Sequence, residues 1–403
     1  MAHSEFNSDS EFNSELKFTS EDRQWMQRAI ELAREGWYTT HPNPRVGCVI
    51  VKDQEVVGEG FHYRAGEPHA EVHAIRDAGE KAQGATAYVT LEPCSHFGRT
   101  PPCCDGLIAA GVSRVVAAME DPNPQVAGKG LARIQAAGID VASGLLEAEA
   151  RALNPGFLKR MEHKLPYVRV KQAMSLDGRT AMASGESKWI TGADARSDVQ
   201  RLRAQSGAII TGVASVIHDD SSLTVRKDEL GLADTLSNDI VAKQPIRVVL
   251  DTHLSIPETA KLLGLDGKTI IVCSNALNAE QEHKANFLAE KATVIKAPLV
   301  EGRIDLGWLL TVLADTHEVC DVLVEAGATL CGQFLALDLV DEYWVYVAPK
   351  LMGAQARPLV DLGYSTMSQA LNFEFEDAVM LGRDLRLIAR PVKSDADNTA
   401  AGK

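Results

Sequence analysis

Four side chains in the first third of the chain have the types and spacing of a metal-dependent hydrolytic site. His69 and Glu71 sit either side of Ala70, directly after Pro68, and Cys94 and Cys103 each follow a proline. One imidazole and two thiolates give zinc three protein ligands and leave a fourth position for water, as catalytic zinc sites do. Bound zinc makes its water acidic enough to supply a nucleophile near neutral pH. A carboxylate that does not bind the metal moves the protons. His69, Cys94 and Cys103 are therefore the candidate ligands, and Glu71 is the candidate proton carrier. Taken singly, a His at a helix start usually caps it or faces water, and a lone Cys is usually a small core residue. The order of the four and their flanking prolines outweigh those readings. His73 lies four residues after His69, but a metalloprotease helix needs Glu directly after the first His, and position 70 is Ala. Cys104 competes with Cys103 as a ligand; Cys103 is preferred because it follows Pro101-Pro102 directly.

The elements that must position these groups are legible. Pro68 suits the first turn of a helix. Residues two apart do not share a face of a regular helix, so His69 and Glu71 can converge only at an irregular first turn. Cys103 opens another helix, whose positive end would favour its thiolate. Ahead of these, Thr19-Ser20 caps a helix carrying Trp25, Met26, Ala29, Ile30 and Ala33, which Gly36 ends. Strands are predicted at 46–51, 85–91 and 112–118, with a turn at 54–55 and a helix over 128–137. Asn154-Pro155-Gly156 is a candidate hinge, and a new strand begins at Tyr167. Further strands are expected at 208–211, 246–251, 269–273, 292–295, 322–325 and 343–348, with helices between several of them. The polar stretch 227–243 reads as a surface loop. Alternating strands and helices indicate α/β layered domains. The predicted organisation is a tail over 1–19, domains over 20–164 and 165–392, and a tail over 393–403. The first tail contains a short duplication, Ser4–Ser8 and Ser10–Ser14.

Bulk composition narrows the function classes. The 403 residues are 45% hydrophobic and 24% charged, with a net charge of −14. That acidity, with no dense Lys/Arg run, argues against nucleic acid as a partner. The seven cysteines are odd in number and no secretory signal is present, so reduced thiols and a cytoplasmic location are expected. No run of 18 apolar residues suggests a membrane span.

The cysteine spacing then selects a family. The common zinc-deaminase signature is Pro-Cys-x-x-Cys, yet Phe97 stands three residues beyond Cys94 and the second cysteine comes nine residues after the first. The run TLEPCSHFGRTPPC (90–103), with HPNPRVG (41–47), HYRAGEPHAE (62–71) and DPNP (121–124), closely resembles the deaminase half of the bifunctional riboflavin-biosynthesis deaminase/reductases. The likeness covers about residues 20–392. It implies a cytidine-deaminase-like three-layer domain followed by a dihydrofolate-reductase-like α/β domain. It implies one zinc ion per chain and a small-molecule substrate, 2,5-diamino-6-ribosylamino-4(3H)-pyrimidinone 5′-phosphate, which loses its 2-amino group hydrolytically. Asn43, His62, Arg99, Asp121 and Asn123 fall in the family's substrate-contacting segments. Read alone, Asn43, Asp121 and Asn123 are turn formers beside proline.

The second half carries weaker chemistry of its own. VEAGATLCG (324–332) is a strand, a Gly turn and a helix start, able to offer backbone N–H groups to a phosphate. It is neither G-x-G-x-x-G nor a P-loop, and by itself reads as a structural cap. VKQAMSLDGR (170–179), GESKWIT (185–191) and DDSSLTVR (219–226) resemble the reductase half of the same family. The resemblance implies NADPH-dependent reduction of the ribosyl group to a ribityl chain. Ala173, Trp189, Ser215, Asp219, Gly327, Ala328, Thr329, Leu330, Cys331, Gly332 and Gln333 would contact NADPH. Ser187, Arg203, Leu223, Arg226 and Glu325 would contact substrate, the two arginines suiting phosphate because guanidinium binds such oxygens in a fork. Trp189 could instead be core, Asp177 a turn residue, and Lys171 could face either solvent or the site. The cofactor does the chemistry here, and no reductase general acid is named. A homo-oligomer, a dimer first, is expected. The competing readings are a nucleic-acid-editing deaminase with an accessory domain, and a non-enzymatic scaffold whose zinc is closed by Cys104 or His73.

Overall fold

The structure, a computed structural model, describes residues 18–96, 101–124 and 126–392. The duplicated 1–17 segment and the tail beyond 392 lie outside the described residues. The chain divides into two compact units between His163 and Lys164.

The first unit opens with α1 (Ser20–Glu35), where Thr19 and Asp22 exchange capping bonds and Gly36 closes the last turn. Its buried stripe includes Met26, Ala29, Ile30 and Ala33. The strands are β1 (Gly47–Lys52), β2 (Glu55–Phe61), β3 (Thr86–Val89), β4 (Arg114–Ala117) and β5 (Asp140–Ser143). They form one sheet in the order β2-β1-β3-β4-β5, with β1 antiparallel to both neighbours and β3, β4 and β5 mutually parallel. The helices are α2 (Ala70–Ala78), α3 (Cys103–Ala110), α4 (Lys129–Ala136), α5 (Glu147–Leu153) and α6 (Pro155–His163). α2 lies almost on the backbone of β2. A Cβ at Gly58 would sit 2.2 Å from the Ala74 carbonyl oxygen, and one at Gly60 2.4 Å from that of Ala70. No other residue type tolerates that approach, and it fixes the helix that carries His69 and Glu71.

The expected hinge at 154–156 is instead a pin. Asn154 is 5% exposed, and its amide accepts from the Arg45 N–H at 2.7 Å and donates to the Arg45 carbonyl at 2.9 Å. Pro155 starts α6, a position where its missing N–H costs nothing. Turn-forming composition was visible in sequence; a partner 109 residues away was not.

The second unit contains β6 (Tyr167–Ser175), β7 (Arg179–Ala181), α7 (Ala193–Ala204), β8 (Ala208–Gly212), α8 (Val213–Asp219), α9 (Asp234–Val241), β9 (Ile246–Leu250), β10 (Thr269–Ser274), α10 (Ala279–Leu288), β11 (Thr293–Ala297), β12 (Leu299–Val300), β13 (Arg303–Ile304), α11 (Leu306–Thr316), β14 (Asp321–Val324), α12 (Ala328–Ala336), β15 (Glu342–Ala348), β16 (Arg357–Pro358), β17 (Phe373–Leu381) and β18 (Asp384–Pro391). Nine strands form one sheet in the order β11-β10-β9-β8-β14-β6-β15-β18-β17. It is parallel from β11 to β15 and antiparallel at β18 and β17. The central strands β8 and β14 are almost wholly buried apolar runs, as parallel strands covered on both faces must be.

Two sequence expectations fail here. Residues 227–243 are folded, with a 3₁₀ turn at Lys227–Glu229 and then α9. Leu230 and Ile240 are buried there, too few to show helical periodicity among the charges. The β17–β18 hairpin was not expected, because β17 is a mostly exposed edge strand with an acidic start and little apolar alternation.

Candidate active sites

His69 is the N-cap of α2, with extended backbone and no capping bond from its side chain. Its ring is thus left to face the two thiols: Nδ1 lies 3.7 Å from Cys94 Sγ and 3.3 Å from Cys103 Sγ. The three ligand atoms fall within 4.8 Å of one another, the one such trio among the described residues. Glu71 stands in the first turn of α2, 3% exposed, with Oε2 buried and unpartnered. Burial pushes its carboxyl up to about 7. An orphaned acceptor beside a soft N/S donor set fits a zinc ion and its water.

The α3 dipole acts on the other sulfur from the one expected. The Cys103 N–H donates to Cys94 Sγ at 3.3 Å and the Cys104 N–H to the Cys94 carbonyl at 3.2 Å. The Cys94 thiol is held down at about 4, chiefly by Cys103 and then by His69, whereas that of Cys103 is pushed up by its hydrogen bond to Cys94 and by burial. Cys104 is buried, with Sγ 3.8 Å from its Asp105 neighbour. His73 keeps a buried, unpartnered Nε2.

Around the trio, Asn43 Nδ2 donates to His62 Nε2 at 3.1 Å, and His62 Nδ1 donates to the Pro68 carbonyl at 3.2 Å. That pair of bonds fixes one neutral tautomer, and burial pushes the His62 imidazole down to about 4. Its ring meets His69 edge-on at 5.2 Å. Asp121 is buried and pushed up to about 6 by that burial, while its Oδ1 accepts from the Asn123 N–H at 2.8 Å. Arg99 lies outside the described residues. Sequence reasoning missed Glu92, a buried carboxylate that accepts the Asp121 N–H.

In the second unit the chain leaves β8 towards β9 on one side and leaves β14 towards β15 on the other. The connections diverge above the carboxyl ends of these adjacent parallel strands, the position where open α/β sheets bind ligands. α8 and α12 both begin there, and neither N-cap, Gly212 or Gly327, contributes a capping side chain. Their first-turn N–H groups are free of such caps, as a phosphate site needs. Ser215 and Asp219 lie on α8, and Ala328, Thr329 and Leu330 in the first turn of α12. Cys331 and Gly332 are buried; a Cβ at Gly332 would sit 2.3 Å from the Asp361 carbonyl oxygen, so these two pack the helix. Gln333 is half-buried behind them. Ala173 lies on the central strand β6.

The core alternative for Trp189 fails: it is 62% exposed. With Ser187, Met182, Lys350 and Leu351 it lines an open cleft of about 340 Å³, and Arg196 stacks over its ring at 4.6 Å. Asp177 does more than turn the chain. It accepts from Ser175 Oγ and from the N–H groups of Met352 and Gly353, which hold it down at about 2. Leu223 is 4% exposed, with its side chain in a core cluster with Leu202, Ile209 and Leu323. Arg203 is already paired. Its fork closes on Glu325, with Nε to Oε1 at 2.5 Å and Nη2 to Oε2 at 3.0 Å, while Nη1 donates to the Thr224 carbonyl. Lys171 Nζ joins at 3.3 Å, so it faces this site. Against the cost of burial, Arg203 and Lys171 hold Glu325 down at about 2. Arg226 pairs with Glu229 in a half-exposed fork.

Comparison with known proteins assigns both halves. Residues 19–119 match the zinc-binding region of cytidine and deoxycytidylate deaminases, and residues 166–387 match the RibD C-terminal domain. The riboflavin biosynthesis protein RibD of Escherichia coli is 53% identical over 369 residues, 91% of this chain and 98% of its own length. The chain belongs to the RibD family. RibD of Bacillus amyloliquefaciens is 42% identical over 92% of this chain and 96% of its own length. The solved RibD of Acinetobacter baumannii superimposes with a TM-score of 0.83 at 50% identity, covering 93% of this chain and 99% of that one. The deaminase/reductase of Thermotoga maritima gives 0.77 at 31% identity, covering 92% and 99%. The chain is a bifunctional deaminase and reductase of riboflavin biosynthesis, with a zinc-binding deaminase domain and an NADPH-using reductase domain. No described helix is long and apolar enough to cross a membrane.

Proposed function

We propose that a first domain, over 20–164, removes the 2-amino group of 2,5-diamino-6-ribosylamino-4(3H)-pyrimidinone 5′-phosphate, and that a second, over 165–392, then reduces the ribosyl group with NADPH. The reading rests above all on the convergence of His69, Cys94 and Cys103 beside the orphaned carboxylate of Glu71. Zinc, when bound by the trio, supplies a Lewis acid that makes water nucleophilic. Glu71 takes a proton at Oε2 and hands it to the departing ammonia, a role suited to a carboxyl raised towards neutrality. Neutral His62, oriented by Asn43 and the Pro68 carbonyl, meets the pyrimidine, and Asp121 and Asn123 orient it from the facing loop. Arg99 belongs to the same substrate-contacting set.

In the reductase, Ser215, Asp219 and the 327–333 turn hold NADPH, with Trp189 and Ala173 against it. Ser187, Arg226 and the Leu223 backbone hold the substrate. Glu325, Arg203 and Lys171 form a preorganised charged floor, and Arg203 reaches phosphate by exchanging one partner for another. A cytoplasmic homodimer completes the reading. Seven free thiols suit a reducing compartment, and Phe375, 73% exposed on β17, offers an apolar edge to a second copy. Mass measurement in solution tests the dimer.

The deciding experiment supplies the diaminopyrimidine phosphate with and without NADPH. Ammonia forms without NADPH, and cofactor is oxidised only after deamination. Cofactor oxidation with no ammonia formed contradicts that order.

A further inference from the structure

Helix α4 begins without a cap of its own. Its N-cap is Gly128, in the left-handed region at φ 76° with no side chain to offer. The Lys129 N–H turns back to the Val126 carbonyl, and the N–H groups of Gly128, Gly130 and Leu131 are satisfied by a carboxylate from far away in sequence. Glu92 Oε1 accepts from Gly130 N–H at 2.8 Å and Leu131 N–H at 3.2 Å. Glu92 Oε2 accepts from Gly128 N–H at 2.8 Å and Asp121 N–H at 3.1 Å. The side chain is 3% exposed, and the bonds from Asp121, Gly130 and Leu131 are buried with it, so those donors have no ready substitute in water. One side chain thus fastens both Asp121 and the start of α4, and Asn123 lies between those two points.

The same residue is two positions from Cys94. Its own N–H donates to the Met119 carbonyl at 3.0 Å. A Cβ at Gly130 would sit 2.0 Å from the Pro93 carbonyl oxygen, so beside the Glu92 bonds the start of α4 also meets the ligand loop backbone to backbone. Cys94 is held separately, by the first turn of α3. The ligand therefore has its own anchor, while the 121–131 segment has Glu92.

We infer that Glu92 is a positioning residue of the deaminase: it caps α4 from the ligand loop and so sets the Asp121–Asn123 segment at a fixed height over the metal trio. The inference rests on the proposed contact of that segment with substrate. Glu92→Gln keeps size and shape but replaces one acceptor oxygen by an NH₂ group facing two N–H donors. Loss of an acceptor for buried donors predicts about a tenfold or greater rise in deaminase KM. The kcat changes less than about threefold, because Glu71 and the metal ligands are untouched. Zinc content stays at one per chain, and NADPH oxidation with the deaminated substrate is unchanged. Amide hydrogen exchange accelerates over 121–131 and not over the metal-ligand helix 70–78. This exchange contrast reads the inference even if turnover of the variant is too slow to measure.

An unchanged KM with unchanged exchange overturns the role of Glu92. Loss of zinc overturns it too, by showing that Glu92 serves Cys94 rather than the facing loop. A parallel fall in reductase rate and thermal midpoint overturns it as a merely structural effect. Asn123→Ala tests the underlying contact separately. If Asn123→Ala raises KM and Glu92→Gln does not, the inference fails alone; if Asn123→Ala leaves KM unchanged, the substrate contact fails and the inference falls with it.

Discussion

The two halves of the chain build their sites from different materials. In the deaminase unit the candidate reactive groups are side chains at the starts of α2 and α3 and on the loop that carries Cys94, and each is placed by its own short segment. In the reductase unit the proposed site is the gap between the ends of β8 and β14, made from backbone N–H groups and a part-buried Glu325–Arg203–Lys171 cluster. The metal supplies the chemistry in the first and must be gripped by particular atoms. The cofactor supplies it in the second, and the protein has only to orient it. Residue identity is therefore sharply constrained in one and loosely in the other, and perturbations should separate the units cleanly.

The largest separation comes from the metal. Stripping zinc, or making Cys94→Ser, should abolish ammonia release while NADPH oxidation with the deaminated substrate stays normal. A matching loss in both assays would show that the units are not independent. Next, Glu71→Gln should retain zinc but slow ammonia release by about 10²–10⁴-fold, the range for losing a positioned acid–base group; full activity would remove Glu71 from its role.

On the reductase side, Glu325→Gln leaves Arg203 and Lys171 facing a neutral amide in a buried setting. Breaking such a cluster from one side costs about 3–5 kcal/mol. The second unit should melt earlier and lose NADPH oxidation, while the deaminase keeps its rate; equal melting would place the cluster's charges in water. The same carboxyl sets an acid limit. Its folded value, about 2, lies below the ordinary glutamate value of 4.5, so its ionised form stabilises the fold. That contribution is complete above about pH 4.5 and is lost as pH falls through about 2. In Glu325→Gln the melting point of the second unit should depend less on pH in that window, as thermal scans would register. The smallest effect is expected at Arg226→Ala. Its half-exposed pair with Glu229 is worth at most about 1 kcal/mol, so stability should barely move. Reductase KM for the phosphorylated substrate should rise by at least about threefold; an unaltered KM would return Arg226 to the solvated surface.

Much of the deaminase was legible because its signals are short-range. The Thr19 capping box, the Pro68-His69 helix start and the Pro102-Cys103 start lie within a few residues of what they position. The same reasoning could not see partners that are remote in sequence. Arg203 carries the marks of a phosphate fork, yet Glu325, 122 positions on, occupies it. Leu223 was expected at the substrate and its side chain is in the core. Residues 227–243 look like loop because two buried apolar residues cannot announce a helix among charges.

Residue chemistry and local capping were enough to name a zinc trio, its carboxylate and the α/β elements that bear them. The coordination needs of zinc and the hydrogen-bond needs of a helix's first turn are satisfied by a few residue types at short spacing. Which sulfur the α3 N-terminus serves, what caps α4, and which carboxylate neutralises Arg203 were decided only by the tertiary structure. Each depends on buried polar groups finding partners 9 to 122 residues away, and a linear sequence does not say which distant groups burial will bring within 3 Å.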